Sequence, residues 1–433
     1  MNKSRLSIAG HRIERGIGSM EPQNTQRTEH SCRLCGGVLR EVLDLGRQPV
    51  SNAFVRPEET ARVPFFRLAV GLCTSCTMVQ QLDEVPPREM FRSDYPYRAS
   101  GSLLISRHFE DVAQRIVQTW PRDRDGFVVE IGSNDGVMLK TLGKAGIRHL
   151  GVDPAAGAAE VARSHGVNVR TDFFNASTAS EIRAEHGPAH LIFSANTISH
   201  ISYLDSIFRG VGSLLAPDGL FVVEDRWLGA ILTHVYFDQI YDEHIYLFSV
   251  RSVQAMAARF GFELIDAEYI PLHGGSIRYT IARPGSRQPT AAVAEFLAQE
   301  TADGVAEEAT FVQFSAEFER IRADLVALLR DMRSNGRRVV GYGATSRSAT
   351  VLNYCNIGPD LLPLVCDSTP EKQGCLTPGS KIPVCPPEAF SDPYPDYALL
   401  FAWNHAEEIM AKERLFHQKG GRWILYVPRV HIV

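Results

Sequence analysis

The sequence predicts an α/β protein in which a small cysteine-rich module precedes two Rossmann-like, doubly wound sheets. Three observations carry that prediction. Two C-x-x-C pairs, Cys32 with Cys35 and Cys73 with Cys76, stand near the N-terminus. An apolar run at residues 127–131 (FVVEI) ends in a glycine-flanked polar turn at 132–136 (GSNDG). Residues 337–346 (RRVVGYGATS) again read as strand, glycine turn and helix start.

In chain order, residues 1–28 are basic but lack the continuous apolar core of a signal peptide. They read as a poorly ordered lead-in, with Met20 as an alternative start. Residues 29–90 form the module around the cysteines. Each pair is followed by small or polar residues suited to a tight knuckle, and four thiolates fill a tetrahedral zinc shell without leaving a position for water. Cys32, Cys35, Cys73 and Cys76 are therefore expected to hold a structural Zn2+. A redox role is the alternative, although neither pair follows a βα pattern of the thioredoxin kind. Cys355, Cys366, Cys375 and Cys385 have no ligand spacing.

A cofactor domain is predicted over residues 91–285. In a doubly wound sheet the first strand ends in a crevice where a ligand meets backbone N–H groups and a helix N-terminus. Gly132 and Gly136 would let the chain pass that ligand without a Cβ in the way. The loop is not G-x-G-x-x-G, and Glu130 precedes its first glycine by two residues. A carboxylate there repels a pyrophosphate but suits an ammonium or sulfonium, which favours S-adenosylmethionine over NAD and methyl transfer over hydride transfer. Strand two, residues 149–153, ends in Asp153, placed for the ribose hydroxyls. Strand three, residues 167–173, brings Asp172 and Phe173 to the adenine, although an Asp at a strand end also serves as a helix cap. Strand four, residues 190–196, leads to Asn196, Ser199 and His200.

A strand at 222–225 delivers Glu224 and Asp225 toward the same crevice. Behind it, residues 236–249 (YFDQIYDEHIYLFS) concentrate Tyr236, Tyr241, Asp242, Glu243, His244 and Tyr246. A histidine suits proton removal near neutral pH, a neighbouring carboxylate raises its basicity, and a tyrosine hydroxyl can donate to an oxyanion. No catalytic metal spacing is present, and carbon methylation beside a ketone needs none. A base removes the C–H proton, the enolate forms, and its carbon attacks the sulfonium methyl.

Residues 286–336 form a helical connector, in which Phe311, Phe314, Phe318, Ile321, Leu325 and Leu328 recur at steps of three and four as one core-packing face. Residues 337–433 form a C-terminal α/β domain with further strands near 361–367, 398–402 and 422–427. Its glycine loop lacks a third glycine, so it either holds a nucleotide, such as one carried by the substrate, or is a ligand-free scaffold. A length of 433 residues, 44% apolar, is that of a globular protein with two or three domains. The net charge of −5 leaves no basic footprint for nucleic acid or an anionic membrane, and no apolar run approaches the ~20 residues of a transmembrane helix. The expectation is a monomeric cytoplasmic protein.

At these residues the chain resembles the sugar C-methyltransferases that act on nucleotide-linked 4-keto-deoxysugars in antibiotic biosynthesis. The resemblance runs from Cys32 to Val427. It rests on the two C-x-x-C pairs, residues 94–97 (DYPY), 130–136 (EIGSNDG), Asn196 with His200, 237–244 (FDQIYDEH), 247–249 (LFS), 273–276 (HGGS), 341–343 (GYG) and 353–355 (NYC). It implies a zinc module, a central S-adenosylmethionine domain and a C-terminal domain that helps hold a nucleotide-sugar, commonly a dTDP sugar. His244 would be the base, commonly at C3. Tyr241, Glu243, His200 and Tyr95 would shape the reacting end. Gly132, Asn134, Asp153 and Asn196 would line the cofactor pocket, and Tyr97, Glu224, His273, Ser276 and Tyr342 would meet the substrate. Two departures stand out. The loop at 343–348 (GATSRS) lacks the Pro and Lys of many relatives, although Arg347 can neutralise a phosphate. Arg226 and Trp227 stand where relatives tend to carry smaller or Pro-containing sequence, which points to an unusual sugar or stereochemistry. The alternatives are an O-methyltransferase of a sugar or polyketide, or a non-catalytic zinc-containing scaffold.

Overall fold

The computed structural model describes residues 30–86, 90, 98–120 and 125–433. The lead-in at 1–28 and the loop carrying Tyr95 and Tyr97 lie outside the described residues. Strands β1 (His30–Ser31), β2 (Val38–Pro49), β3 (Phe65–Cys73) and β4 (Val79–Gln81) form an antiparallel sheet. The two C-x-x-C pairs occupy the β1–β2 and β3–β4 turns, where Gly36 (φ 77°) and Thr77 (φ 57°) turn the chain in the left-handed region.

The central sheet contains β5 (Phe127–Ile131), β6 (Arg148–Val152), β7 (Val169–Arg170), β8 (Ala189–Ala195) and β9 (Leu215–Arg226). After β9 the chain makes β10 (Tyr246–Leu247), then β11 (Glu263–Ile270) and β12 (Ser276–Ala282). The central order is β11-β12-β9-β8-β5-β6-β7, parallel except for β12, which runs antiparallel between β9 and β11. All five residues of β5 are buried, as a parallel strand covered on both faces requires. Phe127, Val129 and Ile131 enter one core cluster, whereas Val128 packs with Met138 and Leu142 on the other face. Strand β10 returns to the first sheet and pairs with β4, so the segment before it is laid against the cysteine module.

The connector is two helices, Ala291–Ala302 and Glu308–Ser334, broken at Gly304 (φ 62°). The expected stripe is buried from Phe311 to Leu325 but continues through Leu329 and Met332, with Leu328 only partly buried. The third sheet comprises β13 (Val339–Tyr342), β14 (Val365–Cys366), β15 (Val384–Cys385), β16 (Tyr397–Leu400), β17 (Arg422–Leu425) and β18 (His431–Ile432). Its order, β15-β14-β13-β16-β17-β18, is parallel except for β18. Each α/β sheet reverses strand order beside its first strand, and ligands bind at such switch points.

Candidate active site

A cavity of about 660 Å3 opens between the two switch points. Its walls come from all three modules. They include Asn52 of the cysteine module, Gly132 and Asp153 of the central sheet, and Arg347 and Lys372 of the C-terminal sheet.

At the central-sheet end, the loop after β5 holds Gly132 (φ 74°), Asn134 (φ 47°) and Gly136 (φ 76°) in the left-handed region. Asp153 fixes this loop by accepting from Asn134 N and Ala155 N, both at 2.8 Å. Both carboxylate oxygens therefore organise the turn, and Asp153 also lines the cavity. The two glycines have a different reason from the expected one. A Cβ at Gly132 would lie 2.1 Å from Thr197 Oγ1, and one at Gly136 would lie 3.0 Å from Ala162 Cβ and Val167. They make room for the protein itself, and Gly136, the N-cap of helix Val137–Lys144, does not line the cavity. Glu130 does line it, with Oε2 buried and unpartnered. Burial, together with Asp153, Asp135 and Glu224, pushes Glu130 well above the usual carboxylate range. A bound cation would offset that cost. Asn196 lines the cavity in a left-handed conformation (φ 50°), and its Oδ1 is buried without a partner. These orphaned acceptors and the acid-fixed glycine loop fit an adenosyl sulfonium ligand. Phe173 lines the cavity, but Asp172 does not. Its carboxylate pairs with Arg170 at 3.3 Å and accepts from Phe173 N, so Asp172 shapes its own loop.

Residues 237–250, where the catalytic groups are expected, are buried throughout. Tyr241 and Glu243 line the cavity with His200, His273 and Arg226. Glu243 Oε1 accepts from Asn52 Nδ2 at 2.6 Å. His244 is 1% exposed and does not line the cavity; its ring packs behind Tyr241 (centroids 4.0 Å) and His200 (5.2 Å). The Gln239 carbonyl lies against His244 Nδ1, which places the proton there and leaves Nε2 as a buried lone pair with no partner. Burial, then Arg226 and His200, holds His244 well below the usual imidazole range, and burial with Arg226 pushes His200 down to about 3. Both rings are neutral at pH 7. Burial raises the Tyr241 hydroxyl, so it stays protonated as a donor.

The segment is clamped from two sides. Gln81 of β4 donates Nε2 to the carbonyls of Tyr241 (2.6 Å) and His244 (2.9 Å), and Ser51 N donates to Asp242 (3.0 Å). From the C-terminal module, Trp403 Nε1 and Tyr426 Oη donate to Asp238 Oδ2, both at 2.6 Å, and Thr350 Oγ1 donates to Ile240 O at 3.1 Å.

Three expected substrate contacts are not brought to the cavity. Glu224 is spent on Arg278 and on His108 Nε2 at 2.7 Å, Ser276 donates to Leu272 O, and Tyr342 donates to Glu413 at 2.7 Å inside the C-terminal core. Arg347 does line it, with its guanidinium against Asn404 and over the Trp403 ring at 5.1 Å. Asp367 at the end of β14 repeats the Asp153 arrangement, accepting from Ala344 N (2.6 Å) and Thr369 N (2.8 Å). The sequence reading assigned no site role to Asn52, Gln81, Arg226 or Lys372. Lys372 could have been found as the cation five residues beyond a strand-ending acid. Asn52 and Gln81 carry no such signal, because their partners lie more than 150 residues away.

The sulfurs of Cys32, Cys35, Cys73 and Cys76 lie within 4.8 Å of one another. The Cys32–Cys76 and Cys35–Cys73 separations are 3.6 and 3.5 Å. Tetrahedral zinc with bonds of ~2.3 Å would set such edges at about 3.8 Å, so the cluster fits that metal. Gly37 N, Ser75 N and Gln80 Nε2 donate to these sulfurs at 3.4, 3.4 and 3.1 Å, as thiolate ligands require.

Family models match three stretches of the chain. They describe a zinc binding domain (residues 32–91), a methyltransferase domain (104–267) and a C-methyltransferase C-terminal domain (271–428). The chain is 35% identical over 415 residues to C-methyltransferase NovU of Streptomyces niveus, spanning 95% of this chain and 98% of that one. It is 28% identical over 123 residues to a ubiquinone biosynthesis O-methyltransferase of Azorhizobium caulinodans, spanning 28% of this chain and 46% of the relative. A solved SAM-dependent methyltransferase from Anabaena variabilis aligns with a TM-score of 0.30 at 13% identity, over 42% of this chain and 96% of that one. With 35% identity along nearly the whole of both chains, the protein belongs to the family of S-adenosylmethionine-dependent C-methyltransferases that carry an N-terminal zinc-binding domain.

Proposed function

We propose that the enzyme methylates the carbon beside the ketone, C3, of a dTDP-linked 4-keto-6-deoxysugar through an enolate formed by His244. The observation that carries the reading is the single cavity joining the acid-fixed loop of the central sheet to the cations of the C-terminal sheet, with the neutral His200, Tyr241 and His244 cluster between them. Arg347 and Lys372 suit a diphosphate, Asp153 and Asn196 suit the adenosyl group, and Zn2+ on the four cysteines has a structural role. The methyl donor supplies an electrophilic carbon. His244 Nε2 takes the proton, the C–H electron pair becomes the C=C bond of the enolate, and the carbonyl π pair moves to oxygen. Collapse of the enolate carries its carbon onto the methyl group as the S–C bond breaks toward sulfur. Because His244 lies behind Tyr241 and His200, proton removal requires those rings to move aside. Membership of a C-methyltransferase family speaks against both O-methyl transfer and a non-catalytic scaffold.

The test is solvent deuterium uptake at the sugar ring, read by mass spectrometry, with a dTDP-4-keto-6-deoxysugar and S-adenosylhomocysteine in heavy water. Enzyme-dependent uptake that vanishes in His244→Ala is expected. Absence of uptake across a panel of such sugars, or full uptake by His244→Ala, would sink the reading.

A further inference from the structure

Arg226 is the last residue of β9, paired across the sheet with Ser276, and it lines the cavity beside Tyr241, His200 and His273. Its side chain is 13% exposed, and its Nε and Nη1 are buried without a hydrogen-bond partner. Among the described residues its only ion-pair contact is with Asp225, at 3.8 Å from Nη1. Asp225 is already engaged, accepting from Ser199 Oγ at 2.9 Å, Ser199 N at 3.1 Å and Arg226 N at 2.9 Å. The contrast with Arg278, across the same strand pair, is informative. Arg278 is equally buried and fully committed to Glu224 and Glu268. A buried guanidinium with unmet donors is costly unless a ligand supplies the acceptor.

We infer that Arg226 is a catalytic residue that donates to the ketone oxygen of the substrate and stabilises the negative charge this oxygen acquires when the adjacent carbon loses its proton. The assignment rests on the enolate reading given above. His200 and His244 are neutral and Tyr241 is a protonated phenol, so Arg226 is the cation set among them. Its charge also acts on all three and on His273. That is the arrangement an oxyanion needs: a permanently charged donor in a largely buried site. Burial first, and this charge second, keep the imidazoles unprotonated, so Arg226 is the charged donor within reach of the oxygen.

The experiment compares wild-type enzyme with Arg226→Gln and Arg226→Lys, using S-adenosylhomocysteine and a dTDP-4-keto-6-deoxysugar that the wild type exchanges in heavy water. Loss of one oxyanion donor typically lowers rate by about 10²–10³. Deuterium uptake and kcat should fall by that order in Arg226→Gln and be partly restored in Arg226→Lys, with KM and the dissociation constant of S-adenosylhomocysteine within about threefold. Unchanged S-adenosylhomocysteine binding also reports an intact fold. If Arg226→Gln fails to fold, Arg226→Lys decides through the same kcat-against-KM split. Uptake within threefold of wild type, or a loss confined to KM, overturns the assignment; the second result would make Arg226 a ground-state anion contact. Absence of uptake by the wild type itself identifies failure of the enolate reading, and this assignment falls with it.

Discussion

Gln81 offers a direct way to ask whether the cysteine module positions the reacting segment. Its side chain reaches from β4 to the carbonyls of Tyr241 at 2.6 Å, His244 at 2.9 Å and, more weakly, Asp242 at 3.3 Å. Gln81→Met conserves volume and removes the donors. Two short buried hydrogen bonds contribute roughly 1 kcal/mol each, and a carbonyl left unmet adds about 1–3 kcal/mol. A loss of about 3–5 kcal/mol in urea unfolding is therefore expected. Because the affected carbonyls belong to the residues flanking the reacting end, kcat should fall by about 10-fold or more, while calorimetric binding of S-adenosylhomocysteine stays near wild type. The isosteric Gln81→Glu should be at least as damaging, since it sets a carboxylate against three carbonyl oxygens. If Gln81→Met unfolds within 0.5 kcal/mol of wild type and turns over within twofold, the clamp has no functional weight and the reasoning is wrong.

Two further outcomes are expected. Metal analysis of purified protein should give about one zinc per chain, falling to near zero in Cys32→Ser combined with Cys76→Ser; unchanged stoichiometry in the double variant would misassign the cluster. Buried His244 is held well below its ordinary value, so as pH falls from 6.5 the unfolded chain takes up its proton first. That contribution to stability is fully present above about pH 6.5 and is lost as pH falls toward the depressed native value. Between pH 6.5 and 5 the stability difference between wild type and His244→Gln should shift against wild type by roughly 1.5–2 kcal/mol. A difference independent of pH over that range would mean that His244 is protonated in the folded protein.

The sequence made the strand ends legible because local chemistry marks them. Glu130, Asp153 and Asn196 each close an apolar run, and all three reach the cavity. Where the same signal misled, an intrachain partner had taken the group. Asp172 was claimed by Arg170, Glu224 by Arg278 and His108, and Tyr342 by Glu413. An unpartnered acid and a paired one look alike in a linear string. The glycines show a related limit. The turn at 132–136 was recognisable, yet the atom that demands Gly132 is Thr197 Oγ1 on the loop after β8. His244 was marked by the density of ionisable groups around it, but its place behind Tyr241 and His200 depends on a fold of the segment that no periodicity encodes. Arg226 stood out in the sequence only as a residue type, and the unmet donors Nε and Nη1 turn it into chemistry.

The arrangement gives the four-cysteine module a positioning role in the enzyme. Successive side chains on a strand point to opposite faces, and β4 uses both. Gln80 donates to Cys32 Sγ, while Gln81 donates to the carbonyls of Tyr241 and His244. The cysteine cluster thus fixes the strand that holds the reacting segment, and Asn52 from the same module reaches Glu243. On the opposite side, Trp403 and Tyr426 grip Asp238, and Thr350 grips Ile240. Residues 237–244 have almost no regular secondary structure to hold them, and the donors that do so come from modules on either side in sequence. Separating those modules would leave the glycine loop and Asp153 intact but release the reacting segment. Cofactor affinity and turnover should therefore respond differently to damage at the cysteine cluster, with turnover lost first.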